Sequence, residues 1–266
     1  MGDGVTLATS SAGPVDGRCR EAPPGSTCLE LPVTQGPLSE AFPDLPPAAS
    51  QVASANTGAQ ADRRAAPDAA ERAFAACLAA LDAGHPAAGA LLQDLLRRFP
   101  GHADGWDRLG RMLARRDKPE AALVCFRRAA AVAPSATLAL ACGRLLRLLG
   151  RFAEAGAALA EACRLDPACA PAHFLLGVMA QDAGDGAGAA GHYRRALAAD
   201  ATLAEAAVNL GTVLQDAGDL EAAKRAYGQA VRQSPDTFGR VAQALTTSRR
   251  GELWLDLGRL RRALAG

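Results

Sequence analysis

The side chains able to do covalent or metal chemistry are few, and their spacing does not suit it. Seven cysteines occur without a C-x-x-C pair. His85, His102, His173 and His192 lack the H-E-x-x-H spacing that places two imidazoles on one helix face. There is no glycine loop of the phosphate-cradling kind and no nucleophile elbow. Cys77, Cys125, Cys142 and Cys163 fall within predicted helices, where a thiol serves as a small buried hydrophobe. Cys19 and Cys28 sit in a proline-rich stretch and are the candidates for reactivity. The expectation is a protein without catalytic residues, cofactor or metal. What remains is arginine, which heavily outnumbers lysine. Its planar fork pairs with carboxylates through two parallel hydrogen bonds, so binding rather than bond-making is the chemistry on offer.

The glycines belong to the elements that must position those side chains. Gly110, Gly143, Gly177 and Gly211 lie 33, 34 and 34 residues apart. Ala122, Ala155, Ala189 and Ala223 repeat these steps, and so do Ala129, Ala162, Ala196 and Ala230. A period near 34 signals an array of equivalent supersecondary units. With the glycine placed at position 8 of each unit, position 11 holds Leu113, Leu146, Ala180 and Leu214. Position 24 holds Phe126, Leu159, Tyr193 and Tyr227, and position 32 holds Pro134, Pro167, Ala201 and Pro235. Apolar steps of three, four and seven are helical. A break at Asp117, Gly150, Gly184 and Gly218 ends the first helix of each unit, and the proline helps to stop the second. Glycine at 8 and alanine at 20 and 27 let the two helices approach. The large residue at 24 is expected to fill the space between neighbouring units.

Trp106, Leu109, Gly110, Leu113, Ala122, Phe126, Ala129 and Pro134 together resemble the tetratricopeptide repeat. The resemblance covers residues 103–237, with departures at Cys142, Ala201, Ala139, His173 and Ala207. It implies an all-α fold, a right-handed superhelical α-solenoid of stacked helix-turn-helix repeats. The units are 103–135, 136–169, 170–203 and 204–237. Residues 67–102 read as a degenerate repeat or N-terminal cap, with Phe74, Leu78 and Leu81 on one stripe and Leu91, Leu92, Leu95 and Leu96 on the other. Residues 238–266 read as capping helices, the first with Val241 and Leu245 turned to the last repeat, the second carrying Trp254, Leu257, Leu260 and Leu264.

In this family the first helix of each unit lines a concave face that meets ligand. Carried onto this sequence, its positions present Arg108, Arg111 and Arg115, then Arg144 and Arg147, then Gln181 and Asp182, and last Asn209, Gln215 and Asp216. The implied groove is basic at its N-terminal end and amide-acidic at the other. It suits an extended acidic segment or a polypeptide C-terminus.

Residues 1–66 hold eight of the 16 prolines, seven acidic and four basic residues, and no helical or alternating period. Such a segment cannot offset its ordering entropy by burial, and disorder is expected. Its acidity lets it fold back over the basic groove. A net charge of +1 argues against nucleic acid or anionic membrane as partner. The opening Met1-Gly2 sequence fits the myristoylation pattern but has no supporting basic cluster. With neither a secretory leader nor a spanning run in sight, cytoplasmic is the default.

The leading expectation is a non-catalytic adaptor or scaffold that binds a protein or peptide. The alternatives are an accessory module serving a glycosyltransferase or methyltransferase in trans, and a structural protein that self-assembles through stacked ends. RNA binding ranks last, because two Trp and two Tyr leave few stacking platforms.

Overall fold

In a computed structural model, residues 65–247 and 257–265 are described. The expectations for the N-terminal arm and for Trp254 lie outside them. The described residues form twelve α-helices and one short 3-10 turn, and they contain no strand. Helices α1 (Ala65–Asp82) and α2 (Ala88–Arg98) make the first pair. Then come α3 (Ala103–Arg115) with α4 (Pro119–Val132), and α5 (Ala136–Leu148) with α6 (Phe152–Leu165). The next pairs are α7 (Ala170–Asp182) with α8 (Gly186–Ala199), and α9 (Ala204–Ala217) with α10 (Leu220–Gln233). Helices α11 (Phe238–Thr247) and α12 (Leu257–Ala265) follow. Each helix packs on the next in sequence through α10, giving an α-solenoid of consecutive helix pairs.

The turns inside the pairs share one device. Gly84, Asp117, Gly150, Gly184 and Gly218 all have positive φ, between 56° and 91°. Only here do the described residues need left-handed backbone, and glycine supplies it without strain at four of the five turns. Gly84 and Asp117 are 33 residues apart, so the first pair keeps the turn register of the repeats. Cys77 stands 33 residues before Gly110 and takes the place of the missing glycine.

The repeat glycines have a different role. A Cβ on Gly110 would lie 2.8 Å from the Phe126 ring, and one on Gly143 2.7 Å from Leu159. At Gly177 and Gly211 it would lie 2.6 Å from Tyr193 and 2.5 Å from Tyr227. The large residue at position 24 therefore seats on the glycine of its own unit. The second helix folds straight back on the first and brings position 24 over position 8, and the same residue also meets the next unit, as where Asn209 donates to the Tyr193 hydroxyl at 3.4 Å. Leu91 also departs from its expected stripe: it is 43% exposed, while Leu92, Leu95 and Leu96 are buried.

The buried side chains fall into a large cluster from α1 to α6, another from α8 to α12, and a small one joining α5, α6 and α7. Val241 and Leu245 of α11 and Leu260 and Leu264 of α12 are buried in the second large cluster. Helix α12 lies close to α10 because Gly228 has no Cβ: one placed there would come within 2.7 Å of the Leu264 carbonyl oxygen. Arg232 donates to that carbonyl at 3.2 Å. No helix among the described residues is long and apolar enough to cross a membrane.

Candidate functional site: an arginine face

Helix α3 begins with His102 as N-cap, its Nδ1 accepting from the Gly105 N–H at 3.0 Å. It is anchored by Trp106, which is fully buried and donates Nε1–H to the Pro100 carbonyl at 2.8 Å. Trp106, Leu109 and Leu113 bury one face, and the opposite face turns Arg108, Arg111 and Arg115 to solvent. The same rule on α5, with Cys142 and Leu146 buried, leaves Arg144 and Arg147 exposed.

These five arginines are not equivalent. Arg111 donates Nε–H to Asp107 at 2.7 Å, one turn back, so its charge is already answered. Arg108, Arg115, Arg144 and Arg147 make no ion pair or side-chain hydrogen bond with another described residue. Arg108 and Arg115 line a cavity of about 300 Å³ together with Arg116, Leu78, Leu81, Asp82 and Met112. The cavity has an apolar wall from α1, three guanidinium groups from α3 and its end, and one carboxylate. Arg116 was missed from the sequence because it follows the helix, outside the family's ligand positions. Its pairing with Arg115 at the end of a basic helix was the available signal.

The amides at the other end behave differently. Gln181 accepts a 2.7 Å hydrogen bond from the Tyr193 hydroxyl, and Asn209 Nδ2 donates to that hydroxyl at 3.4 Å. Both amides are half-buried. Gln215 is 1% exposed and accepts from Tyr227 Oη at 2.8 Å. Its expected place on a ligand-facing surface is therefore corrected: position 12 turns inward wherever position 24 is tyrosine, because the phenol needs a partner. Burial pushes Tyr193 up to about 12 and raises Tyr227, so both remain donors at any physiological pH. Asp182 and Asp216 are exposed.

Among the described residues the cysteines and histidines form no centre of comparable reach. Cys77, Cys125, Cys142 and Cys169 are buried, Cys163 is partly so, and all five thiols are free. Burial pushes Cys125 up to about 12 and Cys142 to about 11, which suppresses the thiolate. Cys163 Sγ lies 3.6 Å from His173 Nδ1, and His173 Nε2 lies 3.2 Å from the Pro167 carbonyl oxygen. Burial also raises Cys163, so the pair lacks the lowered thiol of a nucleophile. Burial, with His173 and Arg195 nearby, lowers His192.

The tetratricopeptide repeat profile matches residues 108–168 and 140–204, and a second profile of the same description matches 204–237. This protein belongs to the tetratricopeptide repeat family. Among solved structures, it is similar to PilF of Pseudomonas aeruginosa at 20% identity and TM-score 0.58, covering 75% of this chain and 88% of that one. It is similar to YrrB, described as a TPR protein with an unusual peptide-binding site, at 17% identity and TM-score 0.54 over 65% and 92%. MamA of Desulfovibrio magneticus RS-1 aligns at 18% identity and TM-score 0.55 over 63% and 96%. At these identities the likeness is one of fold. At the sequence level no curated protein matches. The tetratricopeptide fold is that of protein-interaction scaffolds, and its repeats are typically non-catalytic.

Proposed function

We propose that this tetratricopeptide repeat protein is a non-catalytic adaptor that holds an extended acidic peptide segment against its arginine face. The observation that carries this reading is the set of exposed arginines without carboxylate partners among the described residues. Arg108, Arg115 and Arg116 share one cavity, and Arg144 and Arg147 are exposed on the first helix of the next unit. Some exposed charges elsewhere are answered locally, Arg164 by Glu161 at 2.7 Å and Arg151 by Glu154 at 2.7 Å, whereas Arg194, Arg195 and Arg225 make no ion pair with another described residue but stand on second helices, apart from this cavity. Unanswered guanidinium forks above Leu78, Leu81 and Met112 suit a peptide that alternates carboxylate and apolar side chains. Gln181 and Asn209 are assigned a secondary role at the far end, since their amides already serve Tyr193.

The test is fluorescence anisotropy of the full-length protein with a labelled decapeptide alternating Glu and Leu, beside one alternating Lys and Leu. Binding of the acidic probe should weaken with added salt. It should fall at least tenfold with Arg108→Glu, Arg115→Glu, Arg144→Glu and Arg147→Glu combined, at equal helicity by circular dichroism. Equal affinity for both probes, or for both proteins, would sink the reading. Self-assembly through the C-terminal end has less support, because α12 covers that face of the array with Leu260 and Leu264.

A further inference from the structure

The cavity at the start of the array has a candidate occupant within the protein itself. Residues 21–62 carry five carboxylates, Glu21, Glu30, Glu40, Asp44 and Asp62, and no basic side chain. Within them, Leu38-Ser39-Glu40-Ala41-Phe42-Pro43-Asp44-Leu45 interleaves three large apolar residues with two carboxylates. The cavity offers the complement: Arg108, Arg115 and Arg116 around an apolar wall of Leu78, Leu81 and Met112. Asp82 is the one carboxylate among the described residues that line it, so three guanidinium charges face one acid.

Tether length points the same way. The arm joins the fold at Ala65, the first residue of α1, while Leu78, Leu81 and Asp82 lie at the other end of that helix. A helix of 18 residues is about 27 Å long. The nineteen residues between Leu45 and Ala65 are mostly of small and polar type, for which a coil has an r.m.s. span of roughly 25 Å. Effective concentration is greatest when the span of a linker matches the distance it must cover, and for short linkers it reaches the order of millimolar. A segment of even modest intrinsic affinity would then occupy the cavity for much of the time.

We infer that Leu38–Leu45 docks as an intramolecular ligand in the cavity between α1 and α3, competing there with acidic peptides from other proteins. The segment pairs Glu40 and Asp44 with the arginine forks and sets Leu38, Phe42 and Leu45 against the apolar wall. This inference rests on the arginine face being a binding surface, but its occupant is a part of this protein rather than a foreign peptide. External ligand then binds at the cost of releasing the arm, and any event that draws the arm away raises affinity for that ligand.

The protein has its own reporter, since Met112 lines the cavity while Met179 packs beside Gly156 two units on. The experiment is methyl NMR of the full-length protein labelled at methionine Cε. It compares the unaltered arm with one carrying Leu38→Ser, Glu40→Gln, Phe42→Ser, Asp44→Asn and Leu45→Ser. These changes fall outside the helical array, so the fold is not at risk. The expected result is a shift of the Met112 methyl resonance with Met179 unmoved, reversed when a synthetic Pro37–Pro46 peptide is added to the altered protein. The acidic decapeptide should also bind the altered protein several-fold more tightly. A Met112 resonance identical in the two proteins overturns the inference, whatever the decapeptide does. If Met112 moves and responds to the synthetic peptide while the decapeptide binds neither protein, the arm docking stands and the foreign-peptide reading falls.

Discussion

The Tyr193 hydroxyl donates a 2.7 Å hydrogen bond to Gln181 Oε1, and Tyr227 repeats the arrangement one unit later with Gln215 at 2.8 Å. The two earlier units have no phenol. They place Phe126 or Leu159 at position 24 and Ala114 or Arg147 at position 12. The choice at position 12 thus follows the choice at 24: an amide where a phenol must be satisfied, and otherwise whatever solvent tolerates.

Tyr227→Phe leaves a buried Gln215 oxygen without its 2.8 Å donor. The expected loss is about 1–3 kcal/mol in urea unfolding. Adding Gln215→Leu to that variant should restore most of the loss, because both the stranded oxygen and the already unpartnered Gln215 Nε2 are removed. A double variant weaker than the single one would show that the amide has another partner.

The helical glycines should divide by what a Cβ would meet. Gly211→Ala forces a methyl within 2.5 Å of the Tyr227 ring and is expected to cost about 1–3 kcal/mol. Gly191→Ala in α8 meets nothing within 4 Å and should stabilise by about 0.5–1 kcal/mol through helix propensity. Thermal melts of the two single variants decide it, and shifts of the same sign would refute the packing account.

Glu154 joins the second and third helix pairs. It accepts from Arg151 of its own unit at 2.7 Å and from Arg127 of α4 at 2.9 Å. The hydrogen bond from Arg151, then that from Arg127, holds its carboxyl below the ordinary 4.5. A depressed carboxylate contributes stability that is present above its unfolded value and lost as pH falls through the folded one. Glu154→Gln should therefore lower the melting temperature at pH 7, and the gap to the unaltered protein should close as pH drops below 4.5. The group is partly exposed, so the gap should be modest and should shrink in high salt. A gap that persists undiminished well below that pH would rule out the charge as its source.

Gly228→Ala should loosen the C-terminal helix without melting the repeats, because the new methyl would press on the Leu264 carbonyl. Hydrogen exchange in Leu257–Ala265 should speed up while that in α9 stays slow. Unchanged exchange would mean that α12 is held by Leu260 and Leu264 alone.

Much of the fold was legible in the glycine register. Asp117, Gly150, Gly184 and Gly218 mark the turns in sequence and are left-handed in the structure, because a helix reversing direction in so few residues needs positive φ there. Helices α11 and α12 were legible from Val241, Leu245, Leu260 and Leu264, whose four-residue steps demand a buried face. The exposure of Arg108, Arg115, Arg144 and Arg147 also follows from helical phase alone. What one-dimensional pattern could not show is where a long side chain spends its hydrogen bonds. Gln215 and Arg111 have the right phase for a surface, yet one turns inward to a phenol and the other to Asp107. The cavity was hidden for the same reason, since it depends on α1, whose repeat signature is eroded by Cys77 at the glycine position.

The three separate clusters of buried side chains have a mechanical meaning. The joint between α6 and α7 rests mainly on the small group around Ala139, Leu159, Ala162, Cys169, Ala172 and Leu175. In a linear array each unit leans only on its neighbours, so strength is local and the weakest joint governs the whole. Pulled from its two ends, this protein should part at a thinly packed joint, α2 to α3 or α6 to α7, before the closely packed pairs of the repeats open.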